Sequence, residues 1–164
     1  MIYLASDQAG YELKENVKKV LKFLEKEYED IGPYIFDPLD DYPDYILAAA
    51  KKVAEDLNKN RGIILGGSGQ GEAMTANKVR GIRAVVFYGG PKEIIYLSRE
   101  HNNANILSLG ARFVEKYSKA SIEEIVKTWL NTSFSREERH KRRIEKISKF
   151  ENSIYFPNAI NPNI

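Results

Sequence analysis

The chain has 164 residues, 43% hydrophobic and 29% charged, with a formal net charge of +2. That predicts one domain with a real core and gives no general attraction to nucleic acid. It contains no cysteine, which excludes disulfides, thiolate metal sites and a cysteine nucleophile.

The elements follow in order. Ile2 to Ala5 is a short apolar strand and Ser6 to Gly10 the loop after it. A helix follows with Leu13, Val17, Val20, Leu21 and Leu24 on one face and lysines opposite. A weaker strand is expected within Tyr28 to Phe36, then a polar loop from Asp37 to Tyr42. Pro43 suits the first turn of a helix that carries Ile46, Ala49, Ala50, Val53 and Leu57 inward. Ile63 to Leu65 is the central strand, and a helix runs from Gly71 to Lys78. Ile82 to Phe87 is a strand, Tyr88 to Pro91 a loop, and a helix then reaches about His101. Asn105 to Leu109 is the fifth strand and Ile122 to Leu130 a helix. A strongly charged helix is expected over 135–150, and 151–164 reads as an irregular C-terminal tail. The expected division is therefore a domain over 1–150 and that tail.

Continuously apolar strands alternating with helices predict a parallel sheet covered on both faces. The fold class is α/β, a three-layer αβα sandwich on a five-stranded parallel, Rossmann-like sheet. Ligands in such folds bind beyond the carboxyl ends of the strands. Asp7, Ser68, Glu72 and Arg112 are therefore expected to converge. The N-terminus, MIYLASDQAG, has no basic n-region or long apolar run, so neither signal peptide nor membrane partner is expected, and the cytoplasm is the expected location.

The stretch Gly62 to Lys78 carries the strongest local signal. A strand feeding a glycine loop that opens a helix offers backbone N–H groups to an anion. A Walker A loop needs Lys-Ser/Thr after its last glycine, and Gly71 is followed by Glu72. A dinucleotide fingerprint needs an acidic residue about 20 positions on, and none occurs between Glu72 and Glu93. The plain alternative is a tight turn with Glu72 complementing the helix dipole.

His101 stands at a helix end, where histidine commonly meets the dipole. His140 lies among Arg139, Lys141, Arg142 and Arg143. Seven Lys/Arg against three Glu between Arg136 and Lys149 read first as a solvated helix face. Nucleic acid is the weaker reading, since no recognition motif is present. Arg139 and Arg143 are four apart and share a face, which suits one phosphate. The histidines and carboxylates show no metal-ligand spacing, so no metal is expected.

Asp7 with Ala9 to Lys14, Asp41-Tyr42-Pro43, the 66–78 loop, Arg99 to Asn105, Gly110-Ala111-Arg112 and Arg139-His140 with Arg143 occur in this order. The set resembles the type B ribose-5-phosphate isomerase family, which also holds allose- and galactose-6-phosphate isomerases. The resemblance covers residues 2 to about 150. Many members carry a cysteine base where this chain has Gly66. A second branch has a glutamate, and Gly67-Ser68-Gly69-Gln70-Gly71-Glu72 matches it.

The resemblance implies an aldose–ketose isomerase acting on a phosphorylated sugar through a cis-enediolate, without metal or organic cofactor. Glu72 is the implied base, and Ser68 moves a proton between O1 and O2. Asp7 and His101 open the furanose. Tyr42 and Asn102 orient the sugar, and the N–H groups of the Gly67, Gly69 and Gly71 loop hold negative charge. Arg112 binds phosphate with Arg139 and Arg143, the latter two from a neighbouring subunit of a homodimer or dimer of dimers. Gln8 stands where the family usually has histidine, and the Tyr88–Pro91 segment is about two residues longer than in that branch. The alternatives are a hexose 6-phosphate isomerase and a non-catalytic sugar-phosphate binding protein.

Overall fold

The computed structural model describes residues 1–155. Five strands form one sheet: β1 (Ile2–Ser6), β2 (Tyr28–Asp30), β3 (Arg61–Gly66), β4 (Ala84–Phe87) and β5 (Ile106–Gly110). Their order is β2-β1-β3-β5-β4 and every pairing is parallel. The expected fold class is the one observed. The helices are α1 (Tyr11–Phe23), α2 (Tyr42–Ala54), α3 (Gln70–Ala76), α4 (Glu93–Asn102), α5 (Ala111–Tyr117), α6 (Ile122–Asn131) and α7 (Glu138–Tyr155).

Alternation along the strands builds two cores. Leu4, Ile63, Leu65, Leu107 and Leu109 face Leu13, Val17 and Leu21 of α1 and Ile125, Val126 and Trp129 of α6. Tyr3, Ala5, Ile64 and Ile106 face Ile46, Ala49, Ala50 and Val53 of α2 and Ala76 of α3. Burying a large aliphatic side chain contributes roughly 1.5–3 kcal/mol each, and the small alanines let α2 lie close to the sheet.

Beyond shifts of one or two residues at element ends, two differences from the sequence reading stand out. The short helix α5, directly after β5, is not among the elements expected from the sequence; its one buried residue is Val114, and a single inward position leaves no period to read. The last helix was expected over 135–150 and runs from Glu138 to Tyr155. Residues 151–155, expected to be irregular, are held helical by tertiary contacts. Glu151 accepts the Gly81 N–H at 3.0 Å, and the Tyr155 hydroxyl donates to the Lys78 carbonyl at 2.8 Å. Residues 156–164 of the expected tail lie outside the described residues.

Parallel strands give the sheet two unlike edges. Ser6, Gly66, Phe87 and Gly110 end their strands along the carboxyl edge. Arg61, Ala84 and Ile106 begin theirs along the amino edge, where α4 also ends, at Asn102. α7 lies along this amino edge: its first turn meets α4 through His140 and His101, and its last turns bind residues 78–81.

Candidate active site

At the carboxyl edge, β3 ends at Gly66 and α3 begins at Gln70. Between them Gly69 takes φ 77°, a left-handed conformation that glycine adopts without strain. Ser108, fully buried in β5, donates its hydroxyl to the Gly69 carbonyl at 2.6 Å. This polar residue in an otherwise apolar strand ties the loop to the sheet. The Ser68 Oγ accepts the Gln70 N–H at 3.3 Å.

Glu72 lies in the first turn of α3 and is only 4% exposed. Its carboxylate fills the space that the missing side chain of Gly66 leaves. A Cβ on residue 66 would stand 1.8 Å from Glu72 Oε1, so any larger residue there displaces the carboxylate. In members with a cysteine at this position, by the resemblance, the reactive group comes from 66; here the same space holds Glu72. Burial pushes the Glu72 carboxyl above its ordinary value, and the negative charge of Asp7 adds to the rise. Burial also raises Asp7, with Asp40 contributing.

Asp7 Oδ1 accepts the Gly10 N–H at 2.9 Å, and the Asp7 N–H donates to the Leu65 carbonyl at 3.2 Å, which fastens the first loop to β3. The Gln8 N–H donates to Asp40 Oδ1 at 2.9 Å. Asp40 therefore belongs to this edge, though the sequence showed it only as part of a polar loop. Tyr42, at the start of α2, lies against the glycine loop: a Cβ on Gly71 would be 2.9 Å from its Cζ and Oη. The Arg112 guanidinium packs over Gly67, with Cζ 3.3 Å from where a Cβ would stand. Asp7, Gln8, Tyr42, Gly67, Ser68, Gly69, Gly71, Glu72 and Arg112 thus share one edge.

His101, Asn102, Arg139 and Arg143 do not join them within one protomer. His101 and Asn102 end α4 at the amino edge. β5 separates the edges with five residues, at roughly 3.3 Å each. The His101 ring lies 4.2 Å from the His140 ring, centroid to centroid, and Glu100 Oε2 is 3.3 Å from His101 Nε2. Arg139 and Arg143 are exposed on α7; Arg139 Nε donates to Glu137 at 2.8 Å. The expectation that His101 and Asp7 act on one sugar therefore requires two chains.

The carboxyl edge sets three carboxylates, Asp7, Asp40 and Glu72, near the glycine loop with Arg112 packed over Gly67. The amino edge is rich in arginine. This division fits the resemblance in kind, and the sequence comparison shows the family: residues 2–147 match the ribose/galactose isomerase family. The chain belongs to that family. It is 38% identical to ribose-5-phosphate isomerase B of Mycobacterium tuberculosis over 156 residues, which is 95% of this chain and 93% of the relative. It is 39% identical to the probable ribose-5-phosphate isomerase B of Mycoplasma genitalium, covering 92% of this chain and 95% of the relative. The crystal structure of the Mycoplasma genitalium enzyme with bound ribulose-5-phosphate superposes with a TM-score of 0.84 at 38% identity, covering 92% of this chain and 95% of that one. The Clostridium thermocellum ribose-5-phosphate isomerase B gives a TM-score of 0.80 at 38% identity, with 93% and 98% covered. The enzyme class expected from the sequence, an aldose–ketose isomerase, is the class of these relatives. Among the described residues no helix is long and apolar enough to cross a membrane, and no group of three or more potential ligands is arranged to hold a metal ion.

Proposed function

We infer that the protein interconverts ribose 5-phosphate and ribulose 5-phosphate through a cis-enediolate, with Glu72 as the base. The observation that carries this is the Glu72 carboxylate, buried at the glycine loop in the space beside Gly66. A buried carboxylate with a raised pKa is a stronger base than a solvated one and is matched to proton transfer near neutral pH. Glu72 takes the C2 proton and returns it at C1. Ser68 carries the hydroxyl proton between O1 and O2. The loop N–H groups of Gly69 to Gly71 face the enediolate charge. The proton moves within one substrate, so the step balances with no redox partner or cofactor.

Asp7 opens the furanose together with His101, and Tyr42 and Asn102 orient the sugar. The phosphate meets Arg112, Arg139 and Arg143, with Gln8 at its edge. The separation of the two edges supports a site built by two copies, one giving Glu72 and the other His101, Asn102 and both α7 arginines. A phosphate dianion beside Asp7, Asp40 and Glu72 needs more than Arg112 to hold it, and the arginines of a partner's amino edge supply that charge.

A coupled assay for ribulose 5-phosphate formed from ribose 5-phosphate tests the reading. Turnover that disappears in Glu72→Gln is expected. Folded protein that turns over no aldose phosphate returns the chain to the sugar-phosphate binding reading. The same assay with allose and galactose 6-phosphates addresses the hexose alternative. One observation favours that alternative: a cavity of about 580 Å³ opens beside the loop, lined by Ser68, Gln70, Tyr88, Gly90, Phe113 and Tyr117.

A further inference from the structure

We propose that His140 is a positioning residue that docks α7 onto His101 and so sets the span between the ring-opening imidazole and the phosphate-binding arginines. This rests on the roles given above to His101, Arg139 and Arg143.

His140 is 2% exposed, although Arg139, Lys141, Arg142 and Arg143 around it are all exposed. It is the one residue of this helix that is buried among the described residues. Its ring meets the His101 ring at 4.2 Å with 39° between the planes. Its Nδ1 is 2.7 Å from Ser135 Oγ, which fixes the ring's rotation about its own axis. Ser135 is itself anchored, since its N–H donates to the Glu100 carbonyl at 3.0 Å. The Arg99 Nε donates to the Thr132 carbonyl at 3.2 Å. Three successive residues at the end of α4 are therefore tied down, Arg99 and Glu100 to the segment that leads into α7 and His101 to the first turn of α7 itself.

The consequence concerns distance. Arg139 is adjacent to His140 and Arg143 lies three residues on, roughly 4.5 Å along the axis. Both guanidinium groups ride on the helix that His140 docks. A change in that contact moves the two arginines together relative to His101. The substrate fixes its own span between the reacting carbons and the phosphate, and in the open-chain form a hexose 6-phosphate is one carbon longer than a pentose 5-phosphate. Errors of about 1 Å in such placement cost on the order of 100-fold in rate. The contact is thus placed to discriminate substrate length as well as to hold a side chain. Burial, with His101 and then Arg139 adding to it, lowers the His140 pKa.

The test uses His140→Ala, which loses ring and hydrogen bond, and His140→Phe, which keeps a ring without the Ser135 partner. The chain has two histidines, so in either variant the imidazole NMR signals belong to His101 alone. The expected result is a moved His101 resonance and titration midpoint in His140→Ala, partly restored in His140→Phe. Steady-state kinetics on ribose 5-phosphate should show kcat/KM down about 10- to 100-fold in His140→Ala. Inhibition by inorganic phosphate, which needs the arginines but not their distance from His101, should stay within about threefold. The preference for ribose 5-phosphate over allose 6-phosphate should narrow. Unmoved His101 signals overturn the proposal, as does a loss of phosphate inhibition in proportion to kcat/KM, which marks general disruption. If the wild-type protein turns over no aldose phosphate, the functional reading fails, while the NMR and phosphate measurements still decide whether His140 positions His101. Should His140→Ala not fold, Ser135→Ala removes the Nδ1 partner alone and is held to the same outcomes.

Discussion

The two edges of this sheet are built in opposite ways. The carboxyl edge is made of backbone: glycines, a left-handed turn and one buried carboxylate, held by Ser108 from behind. The amino edge is made of long cationic side chains, with Arg83 and Arg99 clamping the turn at Asn103 through its carbonyl and its side-chain amide. The first can stabilise an enediolate but is short of charge for a phosphate. The second has the charge but no base placed against a glycine loop. On the proposed function, each protomer therefore holds two different half-sites, and variants can probe one edge at a time.

The largest effect is expected at the carboxyl edge. Glu72→Gln keeps the shape of the buried group and loses its basicity, so kcat should fall by about two to four orders of magnitude with substrate binding retained. Near-normal activity with continued proton exchange at C2 would remove Glu72 as the base. Because its pKa is raised, the acid limb of the wild-type rate profile should lie above the ordinary 4.5. The sign for stability runs the other way. A carboxyl whose folded pKa is raised contributes stability below the unfolded value and loses it as pH rises through the folded one. Glu72→Gln should therefore melt higher than wild type at neutral pH, with the gap closing as pH falls towards the unfolded value.

The support of the carboxyl edge comes next. Lys14 is fully buried, donating to Asp30 at 2.8 Å and to the Pro33 carbonyl at 2.6 Å. It steadies the start of the chain segment that carries Asp40 and Tyr42 to the site. Lys14→Met takes this donor from the Pro33 carbonyl and leaves Asp30 with Lys18 and the Gly32 N–H. Stability should drop by about 3 kcal/mol, read by urea unfolding, with KM rising in protein that remains folded. An unchanged unfolding midpoint would mean that Lys14 carries no such load.

The smallest effect is expected at Gln8. Its backbone is held by Asp40, whose charge would favour a protonated imidazole in its place. Gln8→His should lower the KM for ribose 5-phosphate several-fold below the histidine pKa, with little change in kcat. A KM that is flat from about pH 5.5 to 8 and no tighter than wild type would leave position 8 outside phosphate binding.

Much of the carboxyl edge was legible in the sequence, because a glycine loop after an apolar strand is a local pattern and a parallel sheet, with its loops gathered at one edge, follows from alternation with helices. The pairing of Gly66 with Glu72 was not, since it depends on a volume shared by residues six apart. His140 was hidden for a different reason: four exposed cations around it make the stretch read as a solvated face, and its burial comes from Ser135 and α4. The position of His101 could have been derived. A helix that ends just before a parallel strand ends at the amino edge, away from the loops that hold Asp7 and Glu72. Resemblance grouped these residues without saying that one chain cannot bring them together.

The shared site is the central claim, and subunit mixing tests it most directly. Glu72→Gln and Arg139→Ala proteins, each nearly inactive alone, are combined in equal amounts under conditions where mass spectrometry shows exchanged subunits. A mixed dimer then carries one site with both defects and one with neither. Random exchange predicts recovery of about a quarter of wild-type activity. Demonstrated exchange with no recovered activity would contradict the account.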